Sequence, residues 1–174
     1  SYIFKKAPAA ITNVQLYKLM QWFVILFYSK HALRGDLAEC SIKKRGQNYI
    51  YEKDNSWHVH IGQHKTVKHV GAIDFELDPA VQKGLRQYLP YLRAKTSHGF
   101  LLSNRKGDKM SKQVLSKTLM RITKERIGKS FSTQLLRILY AMRNRDVIES
   151  AKEVSEKLMH SPEQSLMYAK KSEK

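Results

Sequence analysis

Four short stretches of this sequence carry side chains that could do chemistry on an anion. Arg34 stands in Ala32-Leu33-Arg34-Gly35-Asp36-Leu37, just after a long apolar segment. On its own, an Arg at such a junction is a solvated charge or a helix C-cap. Lys65 stands in Gly62-Gln63-His64-Lys65-Thr66, a turn-forming stretch where a lone Lys is ordinarily just solvated. Arg137 is more demanding. It lies in Thr133-Gln134-Leu135-Leu136-Arg137-Ile138-Leu139-Tyr140-Ala141, where Leu135, Leu136, Leu139 and Tyr140 keep it off a free solvent face. A guanidinium withdrawn from water needs an anion or a carboxylate beside it. The fourth stretch runs from His160, in Leu158-Met159-His160-Ser161-Pro162, to Tyr168, in Leu166-Met167-Tyr168-Ala169-Lys170. Taken singly, a Tyr beside basic residues is an ordinary packing aromatic.

Charge narrows the partner. Lys and Arg outnumber Asp and Glu 32 to 15 in 174 residues, for a formal charge of +17 and a pI near 10.0. Each phosphate neutralised by Lys or Arg releases condensed counterions, so the excess points to nucleic acid ahead of an anionic membrane. The length suits one domain with a full core and is too short for two ordinary ones. Cys40 is the only cysteine, which excludes an intrachain disulfide and fits a reducing compartment. The longest apolar run, Leu19 to Tyr28, is interrupted by Gln21 and falls well short of the ~20 residues of a membrane span. The start at Ser1 rather than Met is read as the mark of a fragment lacking an amino-terminal region. No carboxylate cluster or His/Cys spacing reads as a metal site. His58-x-His60 comes nearest, and is read as one exposed face of a strand.

The elements that must position these residues follow from periodicity. Residues 1 to 10 read as an aperiodic leader. A helix capped at Thr12 or Asn13 is expected to run to about Lys30, apolar on most of its circumference and therefore central. A shorter helix is expected over Gly35 to Ile42. After the basic turn Lys43 to Gln47 the period changes to two, predicting strands at Tyr49 to Glu52, Trp57 to Ile61 and Val70 to Leu77. Helical spacing returns at about 79 to 95, 111 to 127, 132 to 144, 146 to 159 and 162 to 169. Pro79 and Pro162 fall in first turns, Ser111 and Ser132 at caps, and Pro90 is expected to kink or split its helix. The fold class is thus α+β, mostly helical, with a small three-stranded antiparallel sheet inserted.

In their order, the four stretches resemble the catalytic domain of the tyrosine recombinase (phage integrase) family. That family runs Arg, a Lys on a β-hairpin, His-x-x-Arg, then His or Trp, then a nucleophilic Tyr. Arg34, Lys65, Arg137, His160 and Tyr168 take those places, with spacings of 23 from Arg137 to His160 and 8 from His160 to Tyr168. The resemblance covers about residues 11 to 170, leaving 171 to 174 as a basic tail. Three positions depart from the pattern. Gln134 stands where the first His belongs, Met159 replaces a common Gly, and Asp36 follows Arg34 unusually closely. Whether Asp36 or Glu39 supports that Arg is left open by the sequence. The departures point to a divergent lineage, from a virus or mobile element.

The resemblance implies a reaction. Tyr168 would displace a deoxyribose 5′ oxygen and form a 3′-phosphotyrosyl bond, which conserves the energy of the broken linkage without ATP, metal or cofactor. A phenol is a weak nucleophile at its free pKa of ~10, so charge must be stabilised elsewhere. Arg34 and Arg137 would hold the non-bridging oxygens, His160 and Gln134 would add donors, and Lys65 on a mobile hairpin would protonate the leaving oxygen. Lys43, Lys44, Arg45, Arg105, Lys106, Lys109, Lys124 and Arg126 are candidate contacts to duplex DNA phosphates, which fix position rather than sequence. Integrase-type action further implies subunits paired on DNA inside a cell, and an amino-terminal DNA-binding region absent from this stretch. Two other functions fit the same residues: a type IB topoisomerase, and an inactive relative that only binds DNA.

Overall fold

A computed structural model of the chain describes residues 2–145. The helices expected at 146 to 159 and 162 to 169, together with His160, Tyr168 and the basic tail, lie outside the described residues. The chain divides into two compact units, Ser1–Leu136 and Arg137–Lys174.

The first unit is built around helix α1, Asn13–Lys30. Thr12 caps it: its hydroxyl accepts from the Gln15 N–H at 3.2 Å, and Gln15 Oε1 accepts from the Thr12 N–H at 2.9 Å. This reciprocal box satisfies two of the donors a helix start leaves open. Leu16, Leu19, Met20, Phe23, Val24 and Phe27 are buried, and Phe23 stacks on Tyr88 with centroids 5.2 Å apart. Tyr88 belongs to α3, Pro79–Lys95, capped by Asp78. Pro90 neither ends nor divides α3. It sits on the exposed side, while buried Tyr88, Leu89, Tyr91 and Leu92 hold the turns on both sides of it, so packing outweighs the missing N–H. Residues 2–10 form two 3-10 turns. Phe4 packs edge-on against Trp22 and Tyr91.

The sheet is antiparallel, in the order β1 (Asn48–Lys53), β2 (Ser56–Ile61), β3 (Ile73–Glu76). A two-residue turn, Asp54-Asn55, joins β1 to β2 with both residues at positive φ (50° and 64°), the twist that hairpins favour. Ile50, Trp57, Val59 and Ile61 face the core. The third strand is shorter than its sequence promised. Val67–Val70 coil into a one-turn helix, α2, closed by Gly71 at φ 76°, so only Ile73–Glu76 pairs. The helix expected over 35 to 42 is likewise cut to a 3-10 turn, Gly35–Glu39. Beyond it Ser41 is drawn to the sheet edge: its N–H donates to Asn48 O and its carbonyl accepts from Ile50 N–H, each at 2.9 Å.

Helix α4, Lys112–Ile127, starts at the Ser111 cap and ends at Gly128 in the left-handed region. Helix α5, Thr133–Arg143, carries Gln134 and Arg137 and has no fully buried residue. Among the described residues no helix is long and apolar enough to cross a membrane.

Candidate nucleic-acid interface

A cleft of about 700 Å³ opens in the first unit beside the β2–β3 connection. Its cationic lining is Arg45, Lys65, Lys109 and Lys112, with Glu39 the one carboxylate among the described residues. These charges come from three separated places in the chain, and two of them are held by identifiable contacts. The Lys109 ammonium sits 3.8 Å from the centroid of the Phe100 ring, an attraction of cation for π face that fixes a long side chain at the rim. Lys112 Nζ lies 2.7 Å from Asp36 Oδ1 and 2.9 Å from Glu39 Oε2. Burial opposes the Lys112 charge, but hydrogen bonds to the two carboxylates more than offset it and raise its pKa above the ordinary 10.5. Among the described residues no carboxylate pairs with Arg45, Lys65 or Lys109 within 4.0 Å. Three cations thus face the cleft without a counter-charge of their own, an arrangement that suits a phosphate.

Lys65 reaches this cleft from a tightly bonded turn. Below it, Asn48 holds Gln63 twice, donating to its carbonyl at 3.0 Å and accepting from its N–H at 2.9 Å. Beside it, His64 is buried, with Nε2 2.8 Å from Gly71 O and Nδ1 3.2 Å from Thr66 Oγ1. A carbonyl can only accept, so Nε2 carries the proton and, in the neutral ring, Nδ1 accepts from the Thr66 hydroxyl. The turn that carries Lys65 is thus hydrogen-bonded on both sides of it.

Arg34 lies elsewhere in the same unit, half-buried and outside the cleft lining. It precedes the 3-10 turn that supplies Glu39, and its carbonyl accepts from the Tyr28 hydroxyl at 2.8 Å. The two acidic residues after it do not settle on Arg34 but on Lys112, which answers the question the sequence left open. Gln134, at the exposed start of α5, belongs to the first unit; Arg137, half-buried on the same helix, belongs to the second.

Of the candidate DNA contacts, Arg45 and Lys109 share the cleft with Lys65. Lys43, Lys44, Arg105, Lys106, Lys124 and Arg126 are exposed outside its lining. His58 and His60 do stand on one sheet face, but not idle. They stack on Tyr51 and Tyr49, and His60 Nδ1 meets Asp74 Oδ2 at 2.9 Å. Lys112 and His64 escaped sequence reasoning. Lys112 is 76 positions from its Asp36 partner, so no local pattern marks it, whereas His64 adjoins Lys65 and a Gly seven residues on, which was a readable hint.

The tyrosines in the described residues are mostly committed to structure. Tyr28, Tyr88 and Tyr91 donate their hydroxyls to Arg34 O, Leu101 O and Lys6 O, and the Tyr17 hydroxyl shares a hydrogen bond with Thr118 Oγ1 and accepts from Arg121. Burial, reinforced by a hydrogen bond to Asp74, pushes the Tyr51 pKa up to about 12, and burial pushes Tyr88 higher still. Tyr140, three residues after Arg137 on α5, is half-exposed. Burial also pushes the Cys40 thiol far up, removing it as a nucleophile at neutral pH. The chain matches no protein-family model, no curated protein and no solved structure.

Proposed function

We propose that this chain is the catalytic domain of a tyrosine recombinase, an integrase-type enzyme that cleaves and rejoins duplex DNA through a covalent 3′-phosphotyrosine. The observation that carries the reading is Lys65. The residue in the family's hairpin-lysine place lines a basic cleft, with Arg45 and Lys109 beside it and, among the described residues, no carboxylate paired to any of the three. A solvated turn lysine has no reason to be built into such a setting. The ordered set Arg34, Lys65, Arg137, His160 and Tyr168 supplies the rest of the chemistry: two guanidinium forks and an imidazole for the phosphoryl oxygens, an ammonium for the leaving oxygen, and a phenol to attack. The commitment of Tyr17, Tyr28, Tyr51, Tyr88 and Tyr91 to internal bonds supports a nucleophile elsewhere in the chain. Subunits act in pairs on DNA, and neither metal nor ATP enters the scheme.

One observation favours a second reading, an inactive relative that only binds DNA. Gln134 can hydrogen-bond a phosphate but cannot move a proton. Incubation with a nicked suicide duplex bearing an attachment sequence separates the two. A protein–DNA adduct that survives denaturing electrophoresis is the expected result, and saturable binding with no adduct would leave the binder.

A further inference from the structure

We propose that His64 is a positioning residue, one that fixes the backbone under Lys65 so that its ammonium is offered to a phosphodiester from a preset turn. The role given to Lys65 rests on the strand-transfer reading; the clamp rests on geometry alone. The connection from β2 to β3 has to leave the sheet, turn and return, and its exposed Lys65, Lys68 and His69 contribute no burial to hold it. His64 provides what burial does not. Its ring is inside the protein while its neighbours Gln63 and Lys65 are out, and it bonds across the connection at three points. Nε2 donates to Gly71 O at 2.8 Å, Nδ1 meets Thr66 Oγ1 at 3.2 Å, and its own carbonyl accepts from Val67 N–H at 3.2 Å.

The remaining bonds fit around that hub. His69 N–H donates to Thr66 O at 3.0 Å and Gly71 N–H to Val67 O at 2.8 Å, which is the short helix α2. Gly71 can present its carbonyl back towards His64 because it adopts φ 76°, a conformation that other L residues resist. The ring therefore ties His64, near the start of the connection, to Gly71, near its end, and Lys65 lies between the two. A lysine pays a large rotamer entropy when it is ordered; fixing its Cα in advance leaves only the side chain to be ordered when phosphate arrives.

The test uses the full chain with His64→Ala, His64→Gln and Lys65→Ala, because Gln can reach Gly71 O with its amide as Nε2 does. Native trypsin digestion is followed at Lys68, with global stability measured in parallel by urea unfolding. Loss of one neutral hydrogen bond should speed cleavage there on the order of tenfold in His64→Ala, and His64→Gln should stay near wild type. Equal cleavage of His64→Ala and wild type at matched stability overturns the clamp, as does a Gln variant that opens like Ala. If His64→Ala does not fold, hydrogen exchange of the wild-type chain decides: the Val67, His69 and Gly71 amides should be protected, and exchange at the rate of free peptide overturns the proposal. In suicide-duplex trapping, His64→Ala should slow adduct formation about tenfold, with rescue by Gln. An adduct rate in His64→Ala equal to wild type, while Lys65→Ala loses it, overturns the positioning role. A wild-type chain that forms no adduct overturns the strand-transfer reading instead, and the digestion still decides the clamp.

Discussion

Lys112 on α4 reaches the 3-10 turn after Arg34 and places its Nζ 2.7 Å from Asp36 Oδ1. The Asp36 side chain is only 7% exposed, so this cation satisfies a carboxylate that water cannot reach. The bond fastens α4 to the turn whose Glu39 lines the cleft, and Glu39 is the second partner of the same ammonium. Substituting Lys112→Met leaves Asp36 buried without its counter-ion. Because Lys112 itself is 39% exposed, the loss should fall below that of a fully buried pair, at about 1–3 kcal/mol. Urea unfolding at neutral pH measures it.

The same pair has a pH signature. The folded-state pKa of Lys112 is raised, so its stabilisation is complete below the unfolded value near 10.5 and is lost as pH climbs through the raised folded value. Wild type and Lys112→Met should therefore converge in urea midpoint as pH is taken above 10.5. A constant difference across that alkaline window would mean that the pair contributes by packing rather than charge.

Gly62 makes a second point of vulnerability next to the cleft. A Cβ there would lie 2.8 Å from the backbone oxygen of Gln47, which itself accepts from Gly62 N–H at 2.7 Å. Backbone cannot rotate aside as a side chain would. Gly62→Ala should destabilise by about 1–3 kcal/mol and shift the amide resonances of Gln47 and Gln63. An unchanged urea midpoint would show that the strand ends yield freely.

Much of this architecture could be read from residues. The capping Thr12, Asp78 and Ser111 and the apolar spacing of α1, α3 and α4 mark helices whose signals are local, and the structure has them within a residue or so of the expected bounds. What failed was non-local. The strand expected from Val70 starts only at Ile73, because Val70 closes a helical turn that ends at Gly71 with positive φ and is bonded to His64. Residues 35 to 42 have helical character, yet Ser41 is captured by β1. At the cleft, Lys65 and Arg45 were visible as charges, but that Lys112 is spent on Asp36 and Glu39 while Lys65 is not depends on contacts between distant segments.

The basic cleft makes a binding prediction independent of catalysis. Affinity for unrelated duplex DNA should fall steeply with salt, and Arg45→Ala or Lys109→Ala should each lower the slope of log K against log salt by about 0.9 if each side chain holds one phosphate. Lys83→Ala, on α3 outside this cleft, is the control and should leave the slope nearly unchanged. Filter binding from 50 to 200 mM salt, on the order used for such slopes, reads all three, and equal slopes throughout would remove Arg45 and Lys109 from the interface.

The two donors of α5 should differ in weight. Gln134→Ala removes one neutral hydrogen bond and should slow adduct formation roughly tenfold. Arg137→Ala removes a charged fork and should cost far more. Single-turnover trapping on a suicide duplex compares them, and equal losses would contradict the separate roles assigned to them.

The central claim is that Tyr168 attacks DNA, and one measurement bears on it most directly. Tyr168→Phe deletes a single oxygen and keeps the ring, so folding and duplex binding should match wild type. On a nicked suicide duplex, wild type should yield a denaturation-stable adduct whose DNA-linked peptide contains Tyr168, and Tyr168→Phe should yield none. An adduct that persists in Tyr168→Phe, or a linked peptide mapped to another tyrosine, would contradict the account.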